Sequence, residues 1–100
     1  MQDSMIIELY NKRDERAIAL TAEQYGAYCM AIAYNILSDR QDSEECVNDT
    51  YLRVWNSIPP VQPKSLRAYL GTITRHLAIT HYRERISETR GGGEMPLALD

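Results

Sequence analysis

DSEECVNDTYLRVWNSIPPVQPKSLRAYLGTITRHLAITHYR, residues 42–83, holds the pattern that decides the fold. Its first part places Val47, Tyr51, Leu52, Trp55 and Ile58 at helical spacing, which predicts a third helix of the chain with one apolar face. Asp42 is its expected N-cap, and Glu45 three positions on completes an arrangement like the capping box. Pro59-Pro60-Val61-Gln62-Pro63 then forces a break, because proline lacks an N–H and its ring clashes with the preceding turn. Ser65 is the expected cap of a fourth helix over about 66–85, with an inward stripe of Leu66, Leu70, Ile73 and Leu77 spaced 4, 3 and 4. Working outward, a first helix is predicted over about 3–13, carrying Met5, Ile6, Leu9 and Tyr10. A second runs over about 14–38, opening at Asp14, with Ile18, Tyr25, Cys29, Ile32 and Ile36 on its apolar side. Gly26 inside it costs about 1 kcal/mol relative to alanine, so it marks a close helix contact or a break. No alternating strand pattern, repeat or low-complexity tract interrupts this reading. The expected fold is all-α, a compact bundle of about four helices with a Pro-rich loop between the last two. Its third and fourth helices should pack through Val47, Leu52, Trp55, Leu70, Ile73 and Leu77. The domain is expected to span 1–88. Gly91-Gly92-Gly93 ends it, and 89–100 is read as a flexible tail.

A chain of 100 residues suffices for one domain, and 25% charged residues fit a soluble globular class. No apolar run reaches the ~18 residues of a membrane span, and no secretory signal is visible. Cys29 and Cys46 lack metal-ligand spacing and are read as reduced structural thiols, which points to the cytoplasm. Net charge is −3, but its distribution is uneven: −5 over residues 1–63, +4 over 64–90 and −2 over the last ten. An acidic body with a basic end suits two partners of opposite character, although charge alone leaves chance patterning open.

No nucleophile motif or phosphate loop is present, so no enzyme, cofactor or metal is expected. His76 and His81 lie five apart, about 140° around a helix, and do not form the i, i+4 pair that shares a metal. The fourth helix does carry a second stripe. Tyr69, Thr72, His76 and Arg83 fall on one flank, Lys64 and Ser65 precede it in the loop, and Arg67 lies on the opposite flank. A ring, hydroxyls and cations suit stacking of an unpaired base and contact with phosphate. Tyr69 could equally be the edge of the core. On the third helix, Glu44, Glu45, Asn48 and Asp49 crowd the first two turns. The helix macrodipole accounts for acids at the first turn, and less well for Asn48 and Asp49.

Asp42 through Trp55 resembles region 2 of extracytoplasmic-function sigma factors, where an acidic run is followed by Gln-Glu, an aromatic and a closing Arg-x-Trp. Leu66 to Arg83 resembles the part that follows, usually Trp-Leu-x-x-Ile-x-Arg-Asn with an Arg seven residues later. Here it reads Tyr69-Leu70, Ile73, Arg75-His76 and Arg83. Ile6-Ile7-Glu8-Leu9-Tyr10 and Ala31-Ile32-Ala33-Tyr34 also fit, so the resemblance covers about residues 5–86. Asn48 and Asp49 stand where Gln and Glu are usual, shortening the side chains but keeping their chemistry. His76 replaces Asn and Thr80 stands where Asp is common. The family also has a helix-turn-helix domain that reads the −35 element; on this resemblance the chain is expected to be truncated after Asp100 or to be a fragment, with 89–100 the start of a linker to that missing C-terminal domain.

The resemblance implies a transcription initiation role. Glu45, Asn48, Asp49 and Leu52 would bind core RNA polymerase at the clamp helices of its largest subunit. Lys64, Ser65, Arg67, Tyr69, Thr72, Arg75, His76 and Arg83 would meet the non-template strand of the promoter −10 element and melt it by capturing an extruded base. An anti-sigma factor is a further partner that the resemblance allows. The competing reading is a helical protein-interaction module, a sigma-like regulator without a DNA role, which has no use for the basic 64–90 segment. A major-groove helix-turn-helix reader needs a short turn where this chain has a long Pro-rich loop.

Overall fold

The computed structural model describes residues 2–90 of the chain. They form four helices: α1 Asp3–Asn11, α2 Arg16–Leu37, α3 Arg40–Ser57 and α4 Leu66–Arg90. The expected all-α bundle is the observed fold, with no strand among the described residues and residues 59–65 joining α3 to α4. The central element is α2, which packs against the other three helices, and α3 lies against α4. α4 runs past its expected end to Arg90, and the triglycine lies outside the described residues.

The helix ends show how local chemistry sets these bounds. α1 closes in a Schellman arrangement: Asp14 N–H reaches Leu9 O at 2.9 Å and Arg13 N–H reaches Tyr10 O at 2.9 Å. Arg13 takes the left-handed conformation this turn needs, φ 57°, a position that glycine usually fills. For a residue with a Cβ that conformation costs roughly 1–2 kcal/mol. α2 begins at Arg16 after Glu15, two residues past the expected Asp14, whose Oδ1 accepts from Arg16 N–H at 3.0 Å. The Arg16 guanidinium clasps the same carboxylate and holds its pKa down at about 2.

α3 begins two residues before the predicted Asp42. Ser38, at φ 52°, ends α2, and Asp39 in extended backbone is the true cap, its Oδ1 accepting from Asp42 N–H at 2.8 Å. Asp39 wins because the connection is only two residues long. Asp42 is thereby left in the first turn with its carboxylate available for side-chain partners. Gly26 does not break α2. A Cβ there would sit 3.2 Å from Tyr51 Oη, so the glycine marks a close helix contact. Gly71 on α4 is tighter still, 2.6 Å from Tyr28 Oη.

The core differs from the predicted one in which residues of α3 and α4 face inward. Leu52 is 57% exposed and is not core, and Trp55 and Leu77 are only half-buried. Ser43, Cys46, Val47, Thr50 and Val54 make the buried face of α3, continued by Ile58 just past its end. On α4 it is Leu66, Leu70, Ile73, Thr74 and Ala78. The stripe was displaced because the inward face uses small and weakly polar residues, which an apolar count passes over. Thr50 Oγ1 donates to Cys46 O at 3.0 Å, so the 3.1 Å bond across the interface is donated by Thr74 Oγ1. Behind this, Tyr10 is fully buried and bonds Thr21 Oγ1 at 2.6 Å.

Two outcomes test this packing. Leu70→Ala should lower stability by about 2–5 kcal/mol in urea unfolding, as for a filled core site, whereas Leu52→Ala should stay within about 0.5 kcal/mol. The second concerns Cys29 and Cys46, which are free and buried. Burial raises both thiols, Cys46 from 9.0 to about 11, with Asp49 adding to the rise. Native protein should therefore resist a thiol reagent at pH 8 and react fully once unfolded. Because the unfolded chain ionises these thiols first, stability should fall as pH rises from about 9 towards 11, measured as a declining urea midpoint.

Candidate nucleic-acid and polymerase interface

The loop 59–65 is fastened along its length. At its start, Arg13 Nη1 donates to Trp55 O at 2.8 Å and Ile58 O at 2.9 Å, and the guanidinium carbon lies 3.7 Å from the Trp55 ring centroid. Further along, Asn11 and Gln62 pair their amides, with Gln62 Nε2 donating at 2.9 Å and Asn11 Nδ2 at 3.4 Å. At its end, Ser65 Oγ accepts from Ala68 N–H at 3.1 Å, the cap predicted for α4. Asp3 Oδ2 accepts from Leu66 N–H at 3.2 Å, while Tyr25 donates to the other oxygen of Asp3. The first N–H groups of α4, which its own helix leaves unpaired, thus find partners on Ser65 and on α1. The Asp3 bond keeps a proton on the Tyr25 hydroxyl and raises its pKa.

From this loop the basic side of α4 runs outward. Lys64, Ser65, Arg67, Thr72, Arg75, His76 and Arg83 are all exposed. Arg67 turns towards α2, its guanidinium 4.0 Å over the Tyr28 ring, and so stands apart from the Thr72–His76–Arg83 flank. Tyr69 lies at the edge of the core. Its ring packs against the core and is half-buried, and its hydroxyl donates to Ser57 Oγ at 2.8 Å.

Glu45, Asn48, Asp49 and Leu52 are exposed together on α3. At 100° per residue they fall within about 100° of arc, a single face. Leu52 lies at a shallow cleft of about 200 Å³ shared with Asp49, Arg53, Asn56 and Leu77. An apolar side chain beside acid and amide groups, with Arg53 at the rim as well, suits a protein surface of mixed polar and apolar character. Glu44 is instead paired with Arg40 at 3.1 Å.

At the far end of α3, Asp42 Oδ2 receives Arg85 at 3.0 Å, and Arg85 also donates to Leu37 O at 3.2 Å at the C-terminus of α2. His81 Nε2 lies 3.6 Å from Asp42 Oδ1. Asp42, Glu45 and His81 bring possible ligand atoms within 4.8 Å of one another. Because the Arg85 cation already sits on Asp42, the group is an ion-pair junction of three helices.

Asp3, Asn11, Arg13, Ser57 and Gln62 were not singled out by sequence. Arg13 binds backbone carbonyls 42 and 45 residues away, and backbone acceptors leave no mark in residue spacing.

Tyr69→Phe separates the hydroxyl from the ring. It should lower stability by about 0.5–1.5 kcal/mol, the net worth of one hydrogen bond, read as a small shift in the urea midpoint without loss of helical signal.

Residues 21–87, about two thirds of the chain, match the family model of sigma-70 region 2. No curated protein and no solved structure matches the chain.

Proposed function

Since this chain belongs to the sigma-70 region 2 family, whose members serve promoter recognition and RNA polymerase binding, we propose that it melts the promoter −10 element by holding an extruded base of the non-template strand against Tyr69 at the loop 59–65. The observation that carries this reading is the separation of two exposed faces on neighbouring helices. One is the acidic Glu45–Asn48–Asp49–Leu52 face of α3, and the other is the basic side of α4 that starts at the fastened loop. Flipping a base costs a few kcal/mol, and a stacking platform with cations for the flanking phosphates offsets it. The α3 face would dock on the clamp helices of the largest polymerase subunit. Lys64, Thr72, Arg75, His76 and Arg83 would hold the strand, with Arg67 reaching it from the other flank and Ser65 from the loop. The chain would act in the cytoplasm, without catalysis of its own, as part of an extracytoplasmic-function sigma factor open to control by an anti-sigma factor.

Isolated affinity for DNA should be low, because the acidic body repels phosphate. Three or four phosphate contacts on a single strand correspond to a log–log salt slope of roughly −2 to −3. Reconstituted holoenzyme with a fluorescent base in the −10 element tests the reading. Tyr69→Ala should lose about 1–3 kcal/mol of strand affinity, while Tyr69→Phe keeps it. Asp49→Lys should weaken core-enzyme binding with native stability. Preference for duplex over the non-template strand, or normal opening by Tyr69→Ala, would assign the chain instead to helical interaction modules without a DNA role.

A further inference from the structure

We infer that the turn joining α1 to α2 is a brace that sets the loop 59–65 for strand capture, which makes Asn11 and Arg13 positioning residues for base reading. The inference rests on the reading of the loop proposed above.

Arg13 occupies the turn position that a glycine adopts most easily, φ 57°. What the side chain does there accounts for its presence. One nitrogen bonds the carbonyls of Trp55 and Ile58, at 2.8 and 2.9 Å, and the guanidinium stacks on the Trp55 ring. These carbonyls belong to the end of α3, where unpaired acceptors and the negative end of the macrodipole favour a cation. They also mark the point where the chain leaves α3 for the loop. The adjacent Asn11 pairs with Gln62 in the middle of that loop. Asp3, on the same helix as Asn11, takes the first N–H of α4 at the loop's end. Start, middle and end of the loop are therefore held from α1 and its closing turn. Val61, Lys64 and Ser65 remain exposed on the outer side. A loop fixed from behind has less freedom to lose when it closes on a strand, so more of the contact energy appears as affinity. Asn11 and Arg13 both lie outside the stretch 21–87 that matches the family model.

The test uses the full chain with Val61→Cys carrying a nitroxide label. Cys29 and Cys46 are buried, so labelling is confined to position 61. Asn11→Ala should raise label mobility and weaken holoenzyme binding to a −10 single strand about three- to tenfold, the scale of one net hydrogen bond. Core-enzyme affinity should not change. Asn11→Gln combined with Gln62→Asn rebuilds the amide pair and should restore both readings. Arg13→Gly removes the clasp while relieving the backbone, and Arg13→Lys keeps the charge but loses the planar stack on Trp55. Both should mobilise the label and blue- or red-shift the emission of Trp55, the only tryptophan. Equal label mobility in every variant overturns the brace. A mobile label with unchanged strand affinity overturns the positioning role. A wild-type chain that ignores the −10 strand while the variants still mobilise the label defeats the strand reading, and the positioning role with it, but leaves the brace standing.

Discussion

The contact of Thr50 with Thr74 is the constraint from which the two working faces follow. Small side chains at the α3–α4 interface let the helices approach closely, and every hydroxyl there is satisfied. Thr74 donates to Thr50, and Thr50 to Cys46 O. Among the described residues no buried side-chain nitrogen or oxygen lacks a partner, so this polar interface carries no desolvation penalty of the kind unpaired groups incur. Its geometry then dictates orientation. With Ser43, Cys46, Val47 and Thr50 turned inward, Glu45, Asn48, Asp49 and Leu52 turn outward. With Leu70, Thr74 and Ala78 inward, Thr72, Arg75, His76 and Arg83 turn outward.

The two ends of α3 are tied by cations acting in the same way. At its start Arg85 joins the Asp42 carboxylate to the last carbonyl of α2. At its finish Arg13 joins Trp55 O and Ile58 O to the close of α1. Each arginine satisfies carbonyls at a helix C-terminus, where a positive charge is favoured, and each spans elements that are distant in sequence. In each case a single guanidinium nitrogen bonds both oxygens, so a lysine could supply charge and donors but not the planar stack that Arg13 makes on Trp55.

How far the sequence was readable depends on what carried the information. Four helices, the proline break and the Ser65 cap were legible because they rest on periodicity and on residues with strong local effects. The inward face of α3 was half-legible. Val47 and Ile58 stand out, but an apolar count favours Leu52 and Trp55 over Ser43, Cys46, Thr50 and Val54, since large apolar size outweighs small or polar residues in any hydrophobic count. The Asp42 cap was misplaced for a simpler reason. Asp39 offers the same chemistry three residues earlier, and only the left-handed Ser38 decides between them. For the candidate site, exposure and residue type made the two faces readable as patterns. The fastening of the loop was not, because the partners of Arg13 are backbone carbonyls and the Asn11–Gln62 pair looks like any two surface amides.

Electrostatics links the two faces on the proposed function. Packed helix axes lie about 8–10 Å apart, and outward-pointing groups on the two helices stand farther apart than that, beyond about one Debye length at 0.1 M salt. The acids of α3 would therefore oppose a strand lying along α4 mainly at low salt. A basic partner docked on Glu45 and Asp49 removes that opposition, which strengthens strand binding without any change of shape. Coupling between two binding sites is reciprocal. Strand held on α4 must then strengthen the docking on α3 by the same factor, and salt must weaken the coupling as it shortens the screening length. On the proposed function, the charge split that looks self-defeating in the isolated domain would make DNA binding conditional on the partner, through Coulomb interaction across one helix pair.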